Sequence, residues 1–100
     1  MKWEDILKEE KRSAEEILSD LAVDMAFGEN DLDDVARNFK RKGFKTSLES
    51  NEMISLSKNG KLIGTIVFNM PLDEKGYHDD PIEDILMGEE ERKNTLEMLG

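Results

Sequence analysis

The sequence predicts an α+β fold: two N-terminal helices packed on a three-stranded antiparallel β-meander, followed by an acidic, partly helical C-terminal segment. Three observations lead there. Apolar residues recur at helical spacing from Trp3 to Phe39, an Asn59-Gly60 pair separates two β-rich runs, and acids dominate from Asp73 onward. Residues 1–72 are therefore read as a compact α+β domain, and residues 73–100 as an acidic segment of short helices or partial disorder.

The first apolar stripe comprises Trp3, Ile6 and Leu7, then Ala14, Ile17, Leu18, Leu21, Ala22 and Met25. Every residue from Lys8 to Ser13 is polar. Ser13 followed by Glu16 matches a capping box, in which hydroxyl and carboxylate each satisfy a free amide of the first turn. Two forms fit: one helix over 3–26, favoured because no Pro or Gly interrupts it, or a short helix followed by a second from residue 14. Gly28 suits the left-handed position that ends a helix. Asn30 or Asp31 then caps a second helix running to about Lys42, with Leu32, Val35, Ala36 and Phe39 on one side. Acids at 31, 33 and 34 precede bases at 37, 40, 41 and 42, the order that complements the helix dipole. Gly43 closes this helix, and Phe44 folds back as the apolar contact of the cap.

Residues 44–50 alternate, with Phe44, Thr46 and Leu48 against Lys45, Ser47 and Glu49, and read as a strand ending in a turn near Asn51-Glu52. Asn-Gly supplies both positive φ angles that a two-residue hairpin turn needs, so Met53–Phe68 forms a hairpin. Counting outward from that turn sets Lys58 opposite Lys61, Leu56 opposite Ile63, Ile54 opposite Thr65 and Met53 opposite Ile66. Strict alternation gives a core face of Ile54, Leu56, Ile63 and Val67. The other face then carries Met53, Leu62, Ile66 and Phe68 beside Ser55, Ser57 and Gly64. Strand 61–68 is thus apolar on both sides, and in the simplest order it lies at the sheet edge. Pro71 stops it. The core draws on Ile17, Leu18, Leu21, Leu32, Val35, Phe39, Leu48, Ile54, Leu56, Ile63 and Val67.

From Asp73 the chain holds ten acids against three bases, a local net charge of −7. Pro81 suits the first turn of a short helix capped by Asp80, with Ile82, Ile85 and Leu86 as its stripe. After Gly88, residues 89–99 form another helix bearing Leu96, Met98 and Leu99.

Across the whole chain, 14 basic residues face 24 acidic ones, for a net charge of −10, which disfavours nucleic acid and anionic membranes as partners. The absence of cysteine excludes disulfides and thiolate metal sites. With acids where a signal peptide needs an apolar run, and no stretch near the roughly 18 apolar residues of a membrane span, the sequence indicates a soluble cytoplasmic protein.

No catalytic, cofactor-binding or metal-binding residue is assigned. The single histidine, His78, reads as a solvated loop residue, although Asp79 and Asp80 beside it are potential cation ligands. The acid runs at 29–34 and 79–84 lack the alternation, central Gly and terminal Glu of an EF-hand loop. Serines at 13, 19, 47, 50, 55 and 57 have no His or Lys partner at motif spacing, and Gly60-Lys61-Leu62-Ile63-Gly64 is too short for a phosphate loop. The expected function is that of a non-enzymatic adaptor or regulator that binds protein or itself. Leu62, Ile66 and Phe68 of the doubly apolar strand would make the contact, and the acidic tail would suit a basic partner. An alternative uses Arg37, Lys40, Arg41, Lys42 and Lys45 to bind nucleic acid; an inverse alternative makes the acids a DNA mimic that inhibits a nucleic-acid-binding protein.

Overall fold

The computed structural model describes residues 13–72 and 80–99. The chain runs α1 (Ala14–Ala26), α2 (Leu32–Arg41), β1 (Lys45–Leu48), β2 (Met53–Lys58), β3 (Lys61–Phe68), β4 (Ile82–Leu86) and α3 (Glu89–Leu99). The fold is α+β, but the sheet has four antiparallel strands in the order β1-β2-β3-β4, not three. The helices supply the other half of the core on one face of this sheet.

Ser13 is extended and its hydroxyl accepts from the Glu16 amide at 3.2 Å, so α1 begins at Ala14. That cap excludes one unbroken helix over 3–26; Trp3, Ile6 and Leu7 lie outside the described residues. Asp31 caps α2 by accepting from the Asp34 amide at 3.0 Å. At the other end of α2, Gly43 at φ +96° donates to Lys40 O and Phe44 donates to Phe39 O. These are the two bonds of a Schellman cap, and the accompanying apolar contact is an edge-to-face pair of Phe39 and Phe44 at 5.6 Å. The cap turns the chain directly into β1. Asn38 fastens α2 to α1, its amide nitrogen donating to Met25 O at 2.8 Å and to the Glu29 carboxylate at 2.7 Å.

The hairpin turn lies at Asn59-Gly60, with φ of 54° and 77°, and Lys58 faces Lys61 as its geometry requires. One step further the register departs from simple counting. Ser57 pairs with Leu62 but Leu56 pairs with Gly64, so Ile63 is an extra residue with no partner on β2. This bulge reverses the sidedness of everything after it. Ile63, Ile66 and Phe68 all turn into the core beside Ile54 and Leu56, while Val67 is only half-buried. The expected assignment of Val67 to the core face, and of Ile66 and Phe68 to the outer one, is therefore reversed. Ile63, Ile66 and Phe68 gather on the core face because the alternation skips a residue, and Leu62 and Val67 remain on the other.

β3 is also not an edge, because β4 pairs along its second half. Ile82–Leu86 is a strand, correcting the helix expected there. The stripe of Ile82 and Ile85 looked helical because β4 carries its own bulge: Ile82 faces Phe68, Asp84 faces Val67, and Glu83 is left over. The extra residue brings positions three apart onto one face, a spacing otherwise read as a helix turn.

β4 stops at Leu86, opposite Thr65, so it does not reach the first half of β3. There α3 supplies side chains instead. Asn94 donates to Leu62 O at 2.9 Å and Thr95 donates to Ile63 O at 3.0 Å, both from buried positions. Gly64, with φ +151°, lets α1 and the β4–α3 junction approach the strand. A Cβ there would stand 3.1 Å from Met87 Cγ, 3.2 Å from Leu18 Cδ2 and 3.3 Å from Leu86 O.

The core contains Leu18, Leu32, Val35, Phe39, Ile54, Leu56 and Ile63 as expected, with Ile66, Phe68, Phe44, Leu72 and Ile82 in addition. Leu48, expected inside, is 46% exposed at the end of edge strand β1. Replacing Gly64 by Ala should destabilise the fold by about 1–3 kcal/mol through overpacking, read as a lower urea midpoint at unchanged m-value. Thr95→Val, which keeps the shape but leaves Ile63 O unmatched, should cost about 1–3 kcal/mol in the same assay.

Candidate interaction surfaces

The three residues expected to contact a partner along β3 separate in the fold. Leu62 is 59% exposed, whereas Ile66 and Phe68 are fully buried under the helices. β4 occupies the edge that Ile66 and Phe68 were expected to offer. Two β4 amides are in turn matched by the chain's own acids: Ile82 N donates to Asp80 Oδ1 at 2.9 Å and Ile85 N to Asp84 Oδ1 at 2.8 Å. Charge and side-chain capping of this kind discourage another strand from pairing there.

The face of the sheet turned away from the helices is mixed: Met53, Leu62, Val67 and Leu86 lie on it with Ser47, Ser55, Ser57 and Thr65. Ser55 and Thr65 share a hydroxyl hydrogen bond of 2.8 Å across β2 and β3. A shallow depression of about 290 Å³ lies among Lys45, Ser47, Ser55, Ser57 and Leu62.

Arg37, Lys40, Arg41, Lys42 and Lys45 are all exposed, along the second half of α2 and the first position of β1. Arg37 is bonded to Asp34 at 2.9 Å, and Arg41 to the Asn38 carbonyl oxygen at 3.2 Å. The fold adds two lysines from the hairpin. Lys58 lies with its ammonium 4.9 Å from the centre of the Phe44 ring, and Lys61 reaches Glu97 at 3.9 Å. Lys45 pairs with Ser57, next to Lys58, so the start of β1 and the hairpin tip occupy the same end of the sheet. Sequence reading stopped at residue 45. The turn signal at Asn59-Gly60 and the strand-by-strand register were the means to extend it to 58 and 61.

Acids gather at the opposite corner. Glu15 and Glu16 from the start of α1, Asp80 ahead of β4, and Glu83 and Asp84 of β4 line an open groove of about 300 Å³ together with Ile82 and Ile85. The sequence hid this groove by placing its two halves more than sixty residues apart, and by presenting 82–86 as a helix. On its rim Arg92 of α3 bonds Glu15 Oε2 through both Nε and Nη2, each at 2.7 Å. This bond from the guanidinium holds the Glu15 carboxyl below its ordinary range. The acid run at 29–34 serves α2 instead, as cap and first turn. Among the described residues, no three His, Asp or Glu side chains form a group able to hold a metal ion. His78 lies outside the described residues. Among the described residues no helix is long and apolar enough to cross a membrane.

A scan against protein-family models, a search of curated proteins and a search of solved structures each gave no match.

The Glu15–Arg92 pair fixes a pH response. A carboxyl held below its unfolded value contributes stability above the unfolded pKa, and that contribution is lost as pH falls through the folded pKa. Arg92→Gln should therefore return the Glu15 titration upward to the ordinary carboxylate range, as followed by NMR. It should also flatten the loss of stability on acidification below that range. Because both side chains are substantially exposed, the effect on stability at neutral pH should be small.

Proposed function

We propose that this protein is a small non-enzymatic regulator that binds a basic protein surface through the groove between α1 and β4. The observation that supports the reading is the convergence of Glu15, Glu16, Asp80, Glu83 and Asp84 from two distant segments onto one concave surface. Leu86, 44% exposed at the end of β4, adds apolar surface to the same edge. Charge complementarity of this type steers a partner and sets its orientation, and apolar contacts beside it slow release. The net charge of −10 favours approach of a cationic surface over an anionic one.

A second reading, a nucleic-acid-binding regulator, draws on the gathering of Lys58 and Lys61 with Lys40, Arg41, Lys42 and Lys45. Phosphate contacts of that kind would weaken steeply with salt. The C-terminal position of these bases on α2, where they complement the helix dipole, gives them a local role already.

Capture from nuclease-treated lysate separates the readings. Wild-type protein should retain a specific set of basic proteins that a Glu83→Lys, Asp84→Lys double variant loses, with unchanged circular dichroism. Retention of the same proteins by both forms would remove the groove from the function. Recovery of nucleic acid before nuclease treatment, lost in a Lys42→Glu, Lys45→Glu variant, would move the function to the basic end.

A further inference from the structure

The acidic groove and the basic end lie at opposite corners of the sheet. Lys61 opens β3 and Phe68 closes it, with Ile82 of the groove paired to Phe68, so the two features stand about 23 Å apart along the strand. They are also on opposite edges: Lys45 starts β1 and Asp84 lies in β4, three strand spacings or about 14 Å away. Of the nine described Lys and Arg residues, seven belong to α2, β1 and the β2–β3 hairpin, leaving Arg92 and Lys93 on α3. Among the described residues the molecule thus presents an acidic groove at one corner and a basic hairpin end at the other.

The basic corner is complementary in charge to the groove. The hairpin tip is Lys58-Asn59-Gly60-Lys61, a two-residue turn with a lysine on either side, and Asn59, Gly60 and Lys61 are exposed. Gly60 has no atom within 4 Å of the position a Cβ would take, so the turn itself is open, while Lys58 beside it rests on the Phe44 ring and would swing away from it to reach a partner. The groove that would receive it has carboxylates on both walls, from α1 and from β4, and Ile85 between them. The ion pair that now engages Lys61 is long and exposed at both ends, and pairs of that kind exchange at little cost.

We propose that the occupant of the groove is the basic corner of a second copy of this chain, with the Lys58–Lys61 hairpin tip seated between α1 and β4. The contact is head-to-tail: each copy uses two different surfaces, so association continues into short chains or closes into a ring. Ion pairs of the inserted lysines with Glu83 and Asp84 hold the register. The like net charge of the copies is screened beyond about 8 Å at physiological salt, so short-range pairing governs the contact. The proposal rests on the protein-binding reading of the groove and names its partner.

Sedimentation velocity across a concentration series, with light scattering in parallel, tests it. The weight-average mass should rise with concentration at low salt and fall as salt is added. Glu83→Lys with Asp84→Lys, and separately Lys58→Glu with Lys61→Glu, should each weaken association by about tenfold or more. The first variant carries lysines at 83 and 84 that repel the wild-type hairpin tip, and the second carries acids at 58 and 61 that repel the wild-type groove. Mixing the two should restore association with each other, a rescue that damage to either fold would not give. Wild type that remains monomeric throughout, association indifferent to both reversals, or a mixture that fails to recover while each variant keeps its circular dichroism spectrum overturns the proposal. A monomeric wild type that still loses its captured basic proteins on Glu83→Lys, Asp84→Lys substitution overturns self-association and leaves the groove's protein-binding role standing. Retention of nucleic acid through Lys58 and Lys61 overturns it in favour of a polyanion at the basic corner.

Discussion

Ile63 stands in the β2–β3 ladder with no residue opposite it, and the arrangement of the rest of the chain follows from that mismatch. A strand alternates its side chains with period two, so one additional residue transfers every later side chain to the other face. Through this shift Ile66 and Phe68 join Ile54, Leu56 and Ile63 against the helices, and the sheet acquires one strongly apolar face instead of two mediocre ones. The shift creates two local demands. Leu62 and Ile63 turn carbonyls toward α3, and Asn94 and Thr95 meet them. The strand must also admit Leu18 and Met87 at van der Waals distance, which glycine at position 64 permits.

The same device recurs in β4, where Glu83 is the surplus residue. That bulge aims Ile82 and Ile85 inward and leaves Glu83 and Asp84 exposed. The strand therefore does two jobs: it covers β3 with apolar side chains and presents charge at the new sheet edge. Carboxylates at that edge match amides of their own strand and lie across a groove from the first turn of α1. One irregularity in a five-residue strand thus connects core packing, edge protection and the acidic groove.

The charge layout has a similar economy. Bases at the end of α2 stabilise the helix dipole, and the Schellman cap at Gly43 then carries the chain beside the hairpin, where Lys58 stacks on Phe44. Acids in the first turn of α1 perform the complementary service and also form one wall of the groove. Among the described residues a strongly acidic chain therefore gathers most of its bases at a corner away from the acidic groove, and that contrast is the feature on which the functional reading rests.

Much of this was legible in residue order, because the signals involved are local. Gly43 with Phe44 and Asn59 with Gly60 specify a cap and a turn through contacts within a few residues and occur where the sequence places them; Asp31 is one of the two caps it offered, and Ser13 supplies the helix start that the favoured continuous helix passed over. The acidic excess and the basic run at 37–45 were equally visible. The fourth strand, the reversal of faces in β3 and the assembly of the groove were not. A bulge leaves no composition of its own, and Ile82, Ile85 and Leu86 satisfy a helix period as well as a bulged strand. The choice between them depends on whether Phe68 and Ile66 need a neighbour, which is a property of the folded sheet. By itself the sequence determined the C-terminal cap of α2, the hairpin turn and the charge of each segment, since these are fixed by backbone geometry and side-chain chemistry within a turn or two. Only the tertiary structure decided which side of β3 is buried and which acids meet, because both depend on pairing between residues far apart in the chain.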